Sequence, residues 1–285
     1  MKTQLGVAAF LFSMAMALAT EVGGVSRTAQ LDGAKIHYTE YGAGENALVF
    51  IHGWACDETF WSGQTPALGA KFHLITIDLP GHGQSDKPQI AYTMHLYARA
   101  IDAVLRDAKV KAAVLIGHSN GTPVIRQFSR RFPEKTRALV IVEGGLRPFG
   151  DKAMMEKFVA RLKAPNYEEN AGKLIESMTS PIQDAGLREK IKTAMMRTPQ
   201  YVAASEFDST LDPELWKPDK INVPVLMILA KQPIWSAEYE QFVRGIVPDL
   251  DYQVWENVSH FLMMEQPAKF NAALTAFVEK HQLLL

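Results

Sequence analysis

An α/β fold with a mostly parallel sheet is predicted by three features of the chain. Short, almost unbroken apolar runs recur: ALVFI at 47–51, HLITI at 73–77, AAVLI at 112–116, ALVIV at 138–142 and VPVLMIL at 223–229. Such runs suit strands buried on both faces. Between them lie segments with helical spacing, and this strand–helix alternation is the signature of βαβ units.

The N-terminus stands apart from this pattern. Lys2 precedes an apolar run from Leu5 to Leu18, which ends in Ala17-Leu18-Ala19. A positive start, a short apolar stretch and small residues at the exit are expected of a secretory signal peptide over residues 1–19. The run is shorter than the about 20 apolar residues of a spanning helix, so export is expected, with no membrane association after cleavage. The first core segment, 20–145, opens on Ile36, Tyr38 and Glu40 alternating with His37 and Thr39, an early strand. Met94, Tyr97, Ala98, Ile101, Val104 and Leu105 then follow the i, i+3, i+4, i+7 pattern of an amphipathic helix.

The alternation breaks after Val142. Over 146–220 no strand run occurs. Met155, Phe158, Val159 and Leu162 make one apolar face, Leu187, Ile191 and Met195 another, and Pro165, Pro181 and Pro199 separate the segments. This is read as a helical insertion. Its methionines, 154, 155, 178, 195 and 196, either line an adaptable apolar pocket or fill helix cores. The second core segment, 221–285, resumes with VPVLMIL, continues with DYQVW at 251–255, and closes with a helix through Phe270, Ala273, Leu274, Phe277 and Val278.

Bulk properties narrow the function. With 47% hydrophobic residues, 21% charged residues and a net charge of −1, the chain has the composition of a globular protein without a footprint for nucleic acid. Cys56 is the single cysteine, which excludes an intrachain disulfide and a cysteine-based metal site.

The chemistry centres on AAVLIGHSNG. A strand that ends in G-x-S-x-G and opens into a helix forces its serine into a tight, strained turn, lifting the hydroxyl of Ser119 above the sheet. A serine hydroxyl needs an adjacent base. His260, in NVSHF after the DYQVW strand, sits in a loop at the same sheet edge and is the expected base. His37, His73, His95 and His281 fall within strands or helices and are read as structural. Backbone N–H groups of Asn120 and of Trp54, in the loop after VFIHG, are the expected oxyanion donors. His52 and His82 are read as shaping their loops.

IHGWACDETFW, IDLPGHGQSDKP, IGHSNG and NVSHF together resemble the α/β-hydrolase superfamily over essentially the whole chain after the leader. The resemblance implies an eight-stranded sheet, catalytic groups on loops at one edge, and a helical cap inserted after the sixth strand. It also implies an acid after the seventh strand, but there the chain reads MILAKQPIW, with Lys231 and Gln232 in that place. A neutral Gln cannot stabilise the imidazolium that forms during reaction. The superfamily's second arrangement puts the acid after the sixth strand, where ALVIVEGG delivers Glu143. A carboxylate ending an apolar strand needs a partner. His260 would be one, Arg147 another, and Asp208 and Asp212 remain alternative acids.

The reading is a serine hydrolase that cleaves carboxylic esters of small to medium acyl chain through an acyl-enzyme on Ser119. A serine at the elbow, rather than an aspartate, argues against dehalogenase and epoxide hydrolase chemistry. The expected partner is a small-molecule ester, and neither cofactor nor metal is needed. Lactone or amide hydrolysis by the same residues, or slow-turnover ligand binding, are the alternatives.

Overall fold

A strand covered by helices on both faces needs apolar side chains at every position, and the central runs meet that demand. The computed structural model describes residues 23–284; the expected signal peptide lies outside the described residues. Eight strands form one sheet: β1 (Val25–Leu31), β2 (Ala34–Tyr41), β3 (Asn46–Ile51), β4 (Leu74–Ile77), β5 (Ala112–His118), β6 (Thr136–Val142), β7 (Val225–Ala230) and β8 (Leu250–Trp255). Their spatial order is β1-β2-β4-β3-β5-β6-β7-β8. β2 runs antiparallel to β1 and β4, and all other neighbours are parallel. Every residue of β4, β5 and β7 is buried.

Helices fill the connections: α1 (Thr65–Gly69), α2 (Met94–Asp107), α3 (Gly121–Arg131), α4 (Lys152–Lys163), α5 (Tyr167–Thr179), α6 (Ala185–Met195), α7 (Gln200–Ser209), α8 (Ala237–Ile246), α9 (Leu262–Glu265) and α10 (Pro267–Lys280). The two-residue period of the strands divides the core into two layers. Val49, Ile51, Leu115, Leu139 and Met227 pack with Tyr97 and Ile101 of α2, Phe128 of α3 and Val243 of α8. Leu48, Phe50, Val114, Ile116 and Ile228 pack on the other face with Leu68 of α1 and with Phe270, Leu274 and Phe277 of α10. Each fully buried Leu, Ile or Phe contributes about 1.5–3 kcal/mol of hydrophobic stabilisation. Helix starts are fixed locally: Thr93, Asp151 and Ser236 accept hydrogen bonds from Leu96, Met154 and Tyr239 N–H at the heads of α2, α4 and α8.

The four helices α4 to α7 lie between β6 and β7 in the chain. Of their methionines, Met155 and Met178 line a cavity at the sheet edge, whereas Met195 is buried in the core and Met154 is exposed. Among the described residues, no helix is long and apolar enough to cross a membrane.

Candidate active site

Parallel strands end side by side, so residues just beyond paired strand ends become neighbours. His118 of β5 pairs with Val142 of β6, which makes Ser119 and Glu143 the next residue on each strand. Both leave the sheet with left-handed backbone, φ 51° at Ser119 and 49° at Glu143. That conformation costs a non-glycine residue about 1–2 kcal/mol. Each is held by its neighbouring strand: Ser119 N–H donates to Val142 O at 2.8 Å and Glu143 N–H to Ile228 O at 2.9 Å. The elbow closes because Gly117 and Gly121 lack side chains. A Cβ on Gly117 would lie 2.6 Å from Gly121 O, and one on Gly121 would lie 2.8 Å from Ile51 O.

The loop after β8 brings in the third residue. His260 Nε2 lies 2.8 Å from Ser119 Oγ, and His260 Nδ1 lies 3.2 Å from Glu143 Oε2. The three form a continuous hydrogen-bonded line. Two contacts pin the histidine loop. Glu265 Oε1 accepts from Ser259 N–H at 2.7 Å, and His118 Nε2–H donates to the His260 carbonyl at 2.8 Å. Burial and the adjacent His260 ring hold the His118 pKa well below its ordinary value, so this ring is a neutral donor.

Glu143 is 3% exposed, and a carboxylate so placed requires donors. It has four. Ala230 N–H and Trp235 Nε1–H donate to Oε1, the latter at 3.0 Å. Gln232 Nε2–H reaches Oε2 at 3.3 Å, beside His260. Arg147 does not serve as its partner: that guanidinium lies 3.7 Å from Glu238 and over the Tyr239 and Phe242 rings. The alternative acids are engaged elsewhere. Asp208 pairs with Lys163 at 2.8 Å on the surface, and Asp212 accepts from Glu214 N–H at 2.9 Å.

Asn120 begins the turn into α3 directly after Ser119 and lines the same cavity. Trp54 follows Gly53, which packs against Ser119: a Cβ there would lie 3.0 Å from Ser119 Cβ. Among the described residues, neither the Trp54 nor the Asn120 backbone N–H has a hydrogen-bond acceptor. His52 shapes this loop: Nδ1–H donates to Gly53 O at 2.9 Å, and Nε2 accepts from Leu79 N–H at 3.0 Å. Burial and the neighbouring His82 push its pKa down to about 4, so it remains neutral.

The cavity at Ser119 has a volume of about 330 Å³. Its walls are largely apolar and aromatic, with Met155, Phe158, Leu174, Phe207 and Trp216 from the segment after β6 and Ile234 and Trp235 from the loop after β7. Among the described residues, one group of side chains could gather a metal: His37, Glu58 and Asp78. Their atoms are already engaged. His37 Nδ1 lies 3.0 Å from Asp78 Oδ2, Asp78 accepts from Glu58 and Gln84 N–H, and Glu58 accepts from the Thr39 and Thr76 hydroxyls. The cluster ties β2 to the turn after β4.

Sequence reasoning missed His118, Gln232 and Trp235 as supports of the site. For His118 the signal was its place inside the elbow. For the other two it was their place after β7, where an acid was sought and the acid's donors stand.

A model of the alpha/beta hydrolase fold matches residues 46–267. The chain is similar to 2-(acetamidomethylene)succinate hydrolase of Mesorhizobium japonicum, with 25% identity across 90% of this chain and 95% of that one. Its structure is similar to that of Est816, solved as an N-acyl homoserine lactone degrading enzyme, at a TM-score of 0.75 and 28% identity across 88% of this chain and all of that one. The esterase EaEST from Exiguobacterium antarcticum shares the fold at a TM-score of 0.77, with 18% identity over 90% of this chain and 100% of its own.

Proposed function

The chain belongs to the alpha/beta hydrolase fold family, and on that premise we propose that it is a serine hydrolase acting on carboxylic esters of small to medium acyl chain. The observation that carries this reading is the line from Ser119 Oγ through His260 to Glu143, at 2.8 and 3.2 Å.

In this mechanism Ser119 Oγ attacks the ester carbonyl while His260 Nε2 takes its proton. Glu143 accepts from His260 Nδ1–H, fixing the ring's tautomer and offsetting the imidazolium charge. The backbone N–H groups of Trp54 and Asn120 receive the developing oxyanion, and with no acceptor among the described residues they are free to do so. His260 then returns the proton to the departing alcohol. Water activated by the same imidazole attacks the acyl-enzyme, and collapse of the second tetrahedral intermediate releases the acid and restores Ser119.

The apolar wall supports an acyl chain as the part of the substrate that is buried. Lactone hydrolysis by the same residues is a second reading. The 28% identity to a lactone-degrading enzyme and the aromatic lining both favour it.

A fluorophosphonate, which traps an activated serine as a covalent phosphonate ester, tests the mechanism. Peptide mapping is expected to place the adduct on Ser119, with none formed in His260→Ala. Absence of an adduct on Ser119 in the native protein contradicts it.

A further inference from the structure

Helix α7 reaches back to the sheet edge at two points, one turn apart. The Ala203 carbonyl accepts the indole N–H of Trp54 at 2.9 Å. Glu206 Oε1 accepts the side-chain amide of Asn120 at 2.6 Å. These are the two residues proposed above as oxyanion donors, whose backbone N–H groups have no acceptor among the described residues. A single helix therefore holds both by their side chains.

The tie at Asn120 is unusual for its position. Asn is among the best N-cap residues, its side chain satisfying a free N–H in the first helical turn. Asn120 occupies the N-cap of α3, yet its side chain makes no capping hydrogen bond. It is committed to Glu206 instead. Glu206 is 1% exposed, and a carboxylate buried at this depth is costly unless its oxygens are engaged. Its second oxygen, Oε2, faces His82 Nε2 at 3.2 Å, an ion-pair distance without the alignment of a hydrogen bond. His82 is turned that way because its Nδ1–H donates to Pro80 O at 3.1 Å. Two further bonds seat α7 and its approach on the core: Thr198 Oγ1–H to Ala55 O at 3.0 Å, and Tyr92 N–H to Ser205 Oγ at 2.9 Å. An apolar residue at 206 would fill the space without this cost, so a buried acid there needs a reason beyond packing.

We propose that Glu206 is a positioning residue for the reaction, and that α7 is a brace setting the two oxyanion donors relative to Ser119. The inference rests on the serine hydrolase reading given above. A charge-assisted bond to Asn120 is short and directional, so it fixes the peptide plane between Ser119 and Asn120. Donor placement matters most where the oxyanion develops, because that charge is absent from the bound ester. Loss of Glu206 therefore acts on kcat rather than on KM.

The test is steady-state hydrolysis of p-nitrophenyl butyrate by wild type, Ser119→Ala, Glu206→Leu, Glu206→Gln and Asn120→Ala, with butylboronic acid as the transition-state mimic. Glu206→Leu is expected to lose about 10- to 100-fold in kcat, the scale of a displaced catalytic group, with KM changed less than about threefold. Boronate affinity is expected to fall in parallel with kcat/KM. Glu206→Gln keeps a carbonyl oxygen as acceptor for the Asn120 amide, so it is expected to restore most of kcat. Asn120→Ala cuts the same tie while keeping its own backbone N–H, and is expected to lose the same about 10- to 100-fold in kcat, which keeps the inference testable where Glu206→Leu fails to fold. Wild-type kcat in folded Glu206→Leu or in Asn120→Ala, an effect confined to KM, or no rescue by Gln overturns the inference alone. Absence of Ser119-dependent turnover in wild type overturns the hydrolase reading and the inference with it.

Discussion

Gln232 donates its side-chain amide to Glu143 Oε2 at 3.3 Å, from the turn after β7 to the end of β6. The place where an acid was first sought thus holds a donor to the acid on the adjacent strand. Glu143→Gln replaces a carboxylate with a neutral amide that cannot offset the imidazolium charge, and kcat is expected to fall by about 10³- to 10⁴-fold. Restoring a carboxylate from the other strand, as Glu143→Gln with Gln232→Glu, is expected to recover part of that loss. Steady-state kinetics on a p-nitrophenyl ester checks both. A near-neutral Glu143→Gln contradicts the role given to Glu143.

His118 anchors the His260 loop through the His260 carbonyl. His118→Leu leaves that half-buried carbonyl without its donor, at a cost of about 1 kcal/mol. The His260 ring then loses its fixed distance to Ser119, and kcat is expected to drop about tenfold or more. His118→Gln, which retains a donor, is expected to lose less. Equal activity in all three proteins contradicts the anchoring role.

The buried strands were legible because continuous apolar runs mark them; the G-x-S-x-G elbow and the loop after DYQVW then placed Ser119 and His260 at one edge, and the resemblance to the α/β-hydrolase superfamily pointed to Glu143. β1 was not read from the residues. It is an edge strand with only Ala29 and Leu31 buried, so it carries no apolar run. Strand ends were also blurred where a run overshot the ladder. VPVLMIL starts at Val223, but pairing begins at Val225, since Pro224 has no N–H to give. Glu206 escaped notice for a different reason. Its partners, Asn120 and His82, lie 86 and 124 positions away in the chain, and no local pattern announces a contact made only by folding.

His37 offers a pH test of stability independent of activity. Its hydrogen bond to Asp78, and the charges of Glu58 and Asp78, raise its pKa above the ordinary 6.5 despite burial. The folded protein therefore binds this proton more tightly than the unfolded chain does. The stabilisation is fully present below pH 6.5 and is lost as pH rises through the raised value. Urea midpoints between pH 6 and 8.5 are expected to decline more steeply in wild type than in His37→Gln. Parallel profiles contradict the assignment.

Cys56 is buried, donates its thiol to the Trp54 carbonyl at 3.3 Å, and has its pKa pushed well above the ordinary range by burial. Thiolate is the reactive form. The native protein is expected to resist Ellman's reagent at pH 8, and one thiol per chain is expected to react in denaturant. Rapid labelling of the native protein would show that the loop carrying Trp54 opens.

The most direct measurement compares hydrolysis of p-nitrophenyl esters of increasing acyl length by wild type and Ser119→Ala. Turnover by wild type is expected, lost by several orders of magnitude in Ser119→Ala with the fold intact, together with a length preference set by the apolar cavity beside Ser119. Hydrolysis that survives in Ser119→Ala, or wild type inactive on every length, contradicts it.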